Sequence, residues 1–165
     1  MKTGQSLQEF PIDLLEFVNS VVDEEAEVSR DEKASTDEEI DCLSRVLVRL
    51  EKGKTFFLVA EVDGRVIASS DINRQRGHEE HISAVAIIIK RGFRELAIET
   101  AMMRILMAQA EGMGIEVLTL AAFASNRRAL HVYEKVGFVQ TGLIPKVHLK
   151  EGIYIGEVIM TRLLE

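Results

Sequence analysis

The sequence holds one cysteine, Cys42, no tryptophan and two prolines in 165 residues. A lone thiol excludes an internal disulfide and any zinc site built from several cysteines, and it points to a reducing compartment, so a cytoplasmic location is expected. No apolar run approaches the ~20 residues that cross a bilayer, and the N-terminus shows no basic region followed by an apolar core, so neither membrane insertion nor secretion is expected. Repeats, Pro-rich linkers and low-complexity tracts are absent as well. One domain over residues 1–165 is the expectation, and a chain of this length buries roughly 70% of its unfolded surface without needing a metal or a disulfide. Basic side chains are few, 20 against 27 acidic, and the net charge of -7 opposes the phosphate contacts of a nucleic-acid binder.

The acidic excess is concentrated. Asp23 to Asp41 carries ten carboxylates against Arg30 and Lys33, a local net of -8, so the remainder is near neutral. Two readings of this block stand side by side: a solvated helix end and loop, or an acidic lip that attracts a cationic substrate.

Apolar periodicity divides the chain into helices and strands. Pro11 opens a helix over Ile12 to Val22 with a stripe of Leu14, Leu15, Val18, Val21 and Val22. Thr36 and Glu39 fit a capping box for a second helix, in which Ile40, Leu43, Val46, Leu47 and Leu50 form the stripe and Cys42 packs beside it, up to Gly53. Phe56–Val59 and Val66–Ala68 flank Asp63-Gly64, a hairpin signal. The strand His81 to Ile89 ends in a run too apolar to have one face in water and is expected at the centre. A helix over Arg94 to Glu111 and a strand from Ile115 make a crossover, which requires parallel strands. Asn126 caps a helix over Arg127 to Val136 that Gly137 ends, and strands at Phe138 to Leu143 and Ile153 to Met160 close the chain. The fold class is α/β: a mixed, mostly antiparallel sheet of about six strands with one parallel crossover pair, flanked by about four helices.

Chemistry is expected where the strand Val85 to Ile89 meets the following helix. A helix N-terminus offers unpaired N–H groups to a phosphate, and Lys90, Arg91 and Arg94, with Arg127 and Arg128 after the next strand, place five cations at strand ends. Routine basic decoration of turns is the competing reading. His78-Glu-Glu-His81 fails as a metal pair, since residues three apart on a strand point to opposite faces, and no metal is expected. Gly-x-Ser-x-Gly, Walker and dinucleotide signatures are missing, which removes the main support for hydrolase, NTPase and oxidoreductase readings.

At this junction Ile87-Ile-Ile-Lys-Arg-Gly-Phe-Arg94-Glu-Leu-Ala97-Ile-Glu99-Thr100 resembles the acetyl-coenzyme A signature of the GNAT N-acetyltransferase family, and Asn126-Arg-Arg-Ala129-Leu-His-Val-Tyr133-Glu-Lys-Val-Gly137-Phe138 resembles its Asn-x-x-Ala-x-x-x-Tyr-x-x-x-Gly-Phe element. The order of elements resembles the family over nearly the whole chain. The resemblance implies acetyl-CoA as co-substrate. The strand Ile87, Ile88 and Ile89 would pair through its main chain with the pantetheine arm. Arg94 and the N–H groups of Glu95, Leu96, Ala97, Ile98, Glu99 and Thr100 would hold the pyrophosphate. Asn126 would bond the pantetheine or serve simply as a helix cap, and Tyr133 would protonate the departing thiolate.

Two residues depart from the family pattern: Ala97 and Glu99 stand where it has glycines. Glu99 is compatible with phosphate binding if it points to solvent or pairs with Arg94 or Arg104, and opposes it if it faces the pyrophosphate. Glu80 is the candidate general base, with His81, Glu61 and Asp71 behind it. The implied activity is acetyl transfer to a primary amine, small or peptidic and cationic given the acidic block. The alternative is a degenerate module that binds CoA or a protein partner without turnover. A homodimer is neither required nor excluded.

Overall fold

The computed structural model describes residues 10–24, 33–94 and 97–164. Helices α1 (Phe10–Asp23) and α2 (Thr36–Glu51) precede strands β1 (Thr55–Val62), β2 (Arg65–Arg74) and β3 (Ile82–Ile89). Helix α3 (Ile98–Gly112), strand β4 (Val117–Phe123), helix α4 (Arg127–Lys135) and strands β5 (Val139–Lys150) and β6 (Ile153–Leu163) follow. The six strands form one sheet in the order β1-β2-β3-β4-β6-β5, antiparallel except for the β3–β4 pair that α3 connects. The expected α/β architecture, with the apolar strand β3 in the interior of the sheet, is the one observed.

Side-chain alternation assigns the helices to faces. Along β1, Phe57 and Val59 pack with Leu14, Phe17 and Val21 of α1 and Leu43 of α2. Phe56 packs with the cluster of Met103, Leu106 and Ala110 of α3, Leu130 and Tyr133 of α4, and the strand residues Leu118 and Met160. Asp63 and Gly64, at φ 51 and 77, make the β1–β2 turn that Asp-Gly announces.

Three local expectations are corrected. The capping box of α2 is Ser35 with Glu38, one residue earlier than Thr36 with Glu39: the Ser35 side chain accepts from the Glu38 N–H and the Glu38 carboxylate accepts from the Ser35 N–H. Helix α3 begins at Ile98 rather than Arg94, because Ala97 has left-handed backbone (φ 58) and cannot belong to a right-handed helix. Only Leu43 of the α2 stripe is buried, whereas Ile40, Leu47 and Leu50 are exposed, and so is Cys42, which was expected to pack. The acidic block lies outside the described residues from 25 to 32.

The feature that positions the site is in the parallel pair. β3 and β4 match only at Ile82–Val117, Ser83–Leu118 and Ala84–Thr119. Beyond these the strands part, while β4 stays paired to β6 as far as Phe123–Glu157. Val85–Ile89 of β3 and Leu120–Phe123 of β4 therefore border a wedge in mid-sheet, a place where main-chain groups need partners from elsewhere.

Candidate functional site

The wedge opens into a cavity of about 500 Å³ on its cationic side, bounded by Ile87, Ile88 and Ile89, the N-terminal turns of α3 and α4, and Arg91, Arg94, Arg127 and Arg128. Four of the five expected cations thus converge; Lys90 is not among the lining residues. Ala97, Ile98, Glu99 and Thr100 form the start of α3, and Glu95 and Leu96 lie outside the described residues. Asn126 caps α4 by accepting from the Ala129 N–H at 3.1 Å and also borders the cavity. Gly137 follows α4 at φ 88, where the Arg162 guanidinium donates to the Val136 carbonyl across it, so a β-carbon there would collide.

Carboxylates already engage two of these cations, Arg94 and Arg128. Glu24, at the end of α1, accepts from the Arg91 main-chain N–H at 2.6 Å and from Arg94 Nη2 at 3.2 Å, while its carbonyl accepts from Arg91 Nη2 at 2.9 Å. A main-chain N–H and a guanidinium on one oxyanion is the donor set a phosphate would use. Arg94 Nε in turn donates to the Ile89 carbonyl at 2.8 Å, which fixes the guanidinium against the free end of β3. Sequence reading counted Glu24 in the acidic block and gave it no role, since its partners lie about 70 residues away and leave no local pattern.

Glu99 turns inward and is 4% exposed. Its partner is Arg128, whose Nη1 donates to it at 3.0 Å and to the Arg94 carbonyl at 2.8 Å, rather than Arg94 or Arg104. Tyr133 and Glu99 border the same cavity, close enough for the Glu99 charge to act on the phenol. Burial pushes the Glu99 carboxyl above its ordinary range, with Arg128 opposing. Burial and, next, the neighbouring Glu99 charge push the Tyr133 phenol well up, so it keeps its proton at any physiological pH.

Tyr133 borders a second cavity too, of about 970 Å³, on the α1–α2 side of the wedge. Asp71 of β2 faces this space, and burial pushes its carboxyl up to about 6 against the Asn73 amide and Arg49. Glu157 is the other carboxylate there, paired with His148 Nε2 at 3.2 Å; the imidazole lies against Phe123, ring centroids 4.0 Å apart. Of the residues singled out as bases, Asp71 is the one the fold brings to Tyr133. Glu80 precedes β3, at the strand end opposite Ile89, fully exposed and paired with Lys54 at 3.0 Å, which holds its carboxyl below the ordinary range. Eight residues of strand put it roughly 25 Å from the wedge mouth. Among the described residues no group of His, Cys, Asp or Glu could hold a metal, and no helix is long and apolar enough to cross a membrane.

The arrangement has counterparts. The L-amino acid N-acetyltransferase AaaT of Escherichia coli (strain K12) is 28% identical over 107 residues, which is 64% of this chain and 66% of that protein's length, just short of two thirds. An acetyltransferase of the GNAT family from Streptococcus pneumoniae superposes with a TM-score of 0.85 at 23% identity, covering 98% of both chains. A GNAT superfamily phosphinothricin acetyltransferase from Sinorhizobium meliloti, solved in complex with AcCoA, superposes with a TM-score of 0.83 at 16% identity, covering 98% of this chain and 86% of that one. These likenesses show the fold. The family's own sequence model, "Acetyltransferase (GNAT) family", matches residues 16–138, from within α1 through strands β1 to β4 and helices α2 to α4, and so the chain belongs to the GNAT acetyltransferase family.

Proposed function

We propose that the protein moves the acetyl group of acetyl-CoA to a primary amine by direct attack on the thioester. The observation that carries this reading is Tyr133, a protonated phenol at the one place where the cationic cavity and the carboxylate-bearing cavity meet. The residues present fit the co-substrate. The unpaired edge of Ile87, Ile88 and Ile89 suits the amides of a pantetheine arm, and Arg94, Arg128 and the N–H groups of Ala97, Ile98, Glu99 and Thr100 suit a pyrophosphate. When bound, acetyl-CoA supplies an activated acyl carbon and a thiolate leaving group.

The chain's own groups supply the proton traffic. Asp71, ionised above about pH 6, receives the proton of the incoming ammonium directly or through water, freeing the nitrogen to attack. A main-chain N–H on the free edge of β3 donates to the carbonyl oxygen as charge develops there. As the C–S bond breaks, Tyr133 would donate its O–H to sulfur and regain a proton as the nitrogen gives up its second one on becoming an amide, so that Asp71 alone ends the step with an extra proton. Asp71 thereby takes the role that sequence reading gave to Glu80. The acceptor is a cationic primary amine, in line with the two carboxylates at the cavity. A homodimer would use the exposed apolar residues Leu143, Leu149, Ile153 and Tyr154 of the β5–β6 hairpin, whose outer strand is a sheet edge; sedimentation velocity reads this.

One observation favours the second reading, a module that binds without turnover: Glu24 and Glu99 already occupy Arg91, Arg94 and Arg128. Tyr133→Phe separates the two. Acetyl transfer falls by about 10²- to 10⁴-fold while acetyl-CoA affinity by calorimetry changes little, as general-acid loss requires. A wild-type protein that binds acetyl-CoA and acetylates no amine establishes the module instead.

A further inference from the structure

Building on the acetyl-transfer reading, we infer that the acceptor is an apolar primary amine without a free carboxylate, its nitrogen at Asp71 and its tail against α1 and α2. The cavity beside Tyr133 is walled by Leu14, Val18, Val21, Leu43, Val46 and Phe57, and at about 970 Å³ it is larger than a small polar amine fills. Its charged groups are the carboxylates of Asp71 and Glu157, and no lysine or arginine lines it among the described residues.

This lining discriminates among amines by charge and by tail. A free amino acid would carry its own carboxylate into a space whose described lining holds two carboxylates and no lysine or arginine, where a buried unpaired charge is strongly disfavoured. Spermidine brings three ammonium groups against two carboxylates, one of which His148 already holds, and its remaining charge lies on valine and leucine. An apolar tail ending in one amine meets both requirements, and a free α-amino group whose carboxyl is amidated suits Asp71 further. Its ordinary pKa near ~8 lies only about two units above that of Asp71, against about four for a lysine-like amine. The acidic block points to a cationic acceptor; the cavity keeps the cationic head and adds an apolar tail.

The test is a comparison of kcat/KM at saturating acetyl-CoA, corrected to the free-amine fraction, for leucinamide, glycinamide, leucine and spermidine. Leucinamide should exceed glycinamide by about 10- to 100-fold, the worth of burying an isobutyl group. It should exceed leucine and spermidine by at least about tenfold. Leucine or spermidine equal to leucinamide overturns the inference, as does glycinamide equal to leucinamide. In either case acetylation itself still upholds the transferase reading. Acetyl-CoA binding with none of the amines turned over sinks that reading and the inference with it. Val46→Lys on the half-buried face of α2 adds the missing cation, and it should raise the leucine-to-leucinamide ratio at least about fivefold. An unchanged ratio overturns the assignment of this wall to the acceptor.

Discussion

Glu99 offers the sharpest test of how this chain manages a carboxylate where its family has glycine. Glu99→Gln keeps shape but removes a charge that is 4% exposed and 3.0 Å from Arg128. Two unit charges at ~4 Å attract by about 4 kcal/mol at an effective dielectric of 20. The Arg128 side chain is 37% exposed, so screening reduces this to about 1–2 kcal/mol. That is the attraction a pyrophosphate must displace to recruit Arg128, and removing it should tighten acetyl-CoA binding by about 5- to 30-fold. Calorimetric titration with acetyl-CoA and desulfo-coenzyme A, at low and moderate salt, measures the change, and the salt dependence should steepen because one more guanidinium is free to meet phosphate. The variant should not be destabilised at pH 7. A carboxyl whose pKa is raised on folding contributes stability below its unfolded pKa and loses it as pH rises, so neutral Gln resembles the favoured form. An unchanged or weaker affinity would refute the reasoning, because Glu99 would then not compete for the phosphate site.

Asp71, with its folded pKa raised from 3.8 to about 6, binds more protons folded than unfolded between those pH values. Its contribution of about 3 kcal/mol is therefore full below pH about 4 and lost as pH rises through about 6. Asp71→Asn should abolish that slope in urea unfolding, stabilise the protein at pH 7, and lower kcat/KM by about 100-fold or more with loss of the acid limb near 6; a slope that persists refutes it. Ala97 is held at φ 58 with a β-carbon, so Ala97→Gly should raise stability by about 1 kcal/mol, read as a melting temperature a few degrees higher, and ease approach to the start of α3. A lower melting temperature would mean that contacts of the Ala97 methyl outweigh the strain.

What the sequence made legible was whatever short-range chemistry determines. Asp63-Gly64 fixes a hairpin because both residues accept positive φ, and Asn126 caps α4 whatever surrounds it. The misreadings share a different origin. Ser35–Glu38 and Thr36–Glu39 have the same spacing, and only the approach of the chain to α2 chooses between them. The α2 stripe is truly amphipathic, yet periodicity states which face is apolar and not whether anything covers it; besides Leu43 only Val46 is half-buried, and Ile40, Leu47 and Leu50 are exposed among the described residues. Glu80 and Asp71 each look like a carboxylate on a strand beside the signature, and what separates them is direction. The proposed site lies toward the end of β3 where the parallel pair parts; Glu80 precedes the opposite end of that strand, whereas Asp71, opposite Ala86 in the neighbouring strand, borders the same cavity as Tyr133. Glu99 shows the limit of the method. Each helical residue turns the side chain by about 100°, so whether a carboxylate near the start of α3 meets solvent, Arg104 or Arg128 depends on the phase that left-handed Ala97 imposes. Arg94 on the Ile89 carbonyl and Arg128 on the Arg94 carbonyl act as clasps on the chain just before that start. The same clasps explain how a carboxylate is tolerated at position 99: Arg128 reaches it from α4, the helix that also brings Tyr133, so the departure in one motif is neutralised by a residue of the other.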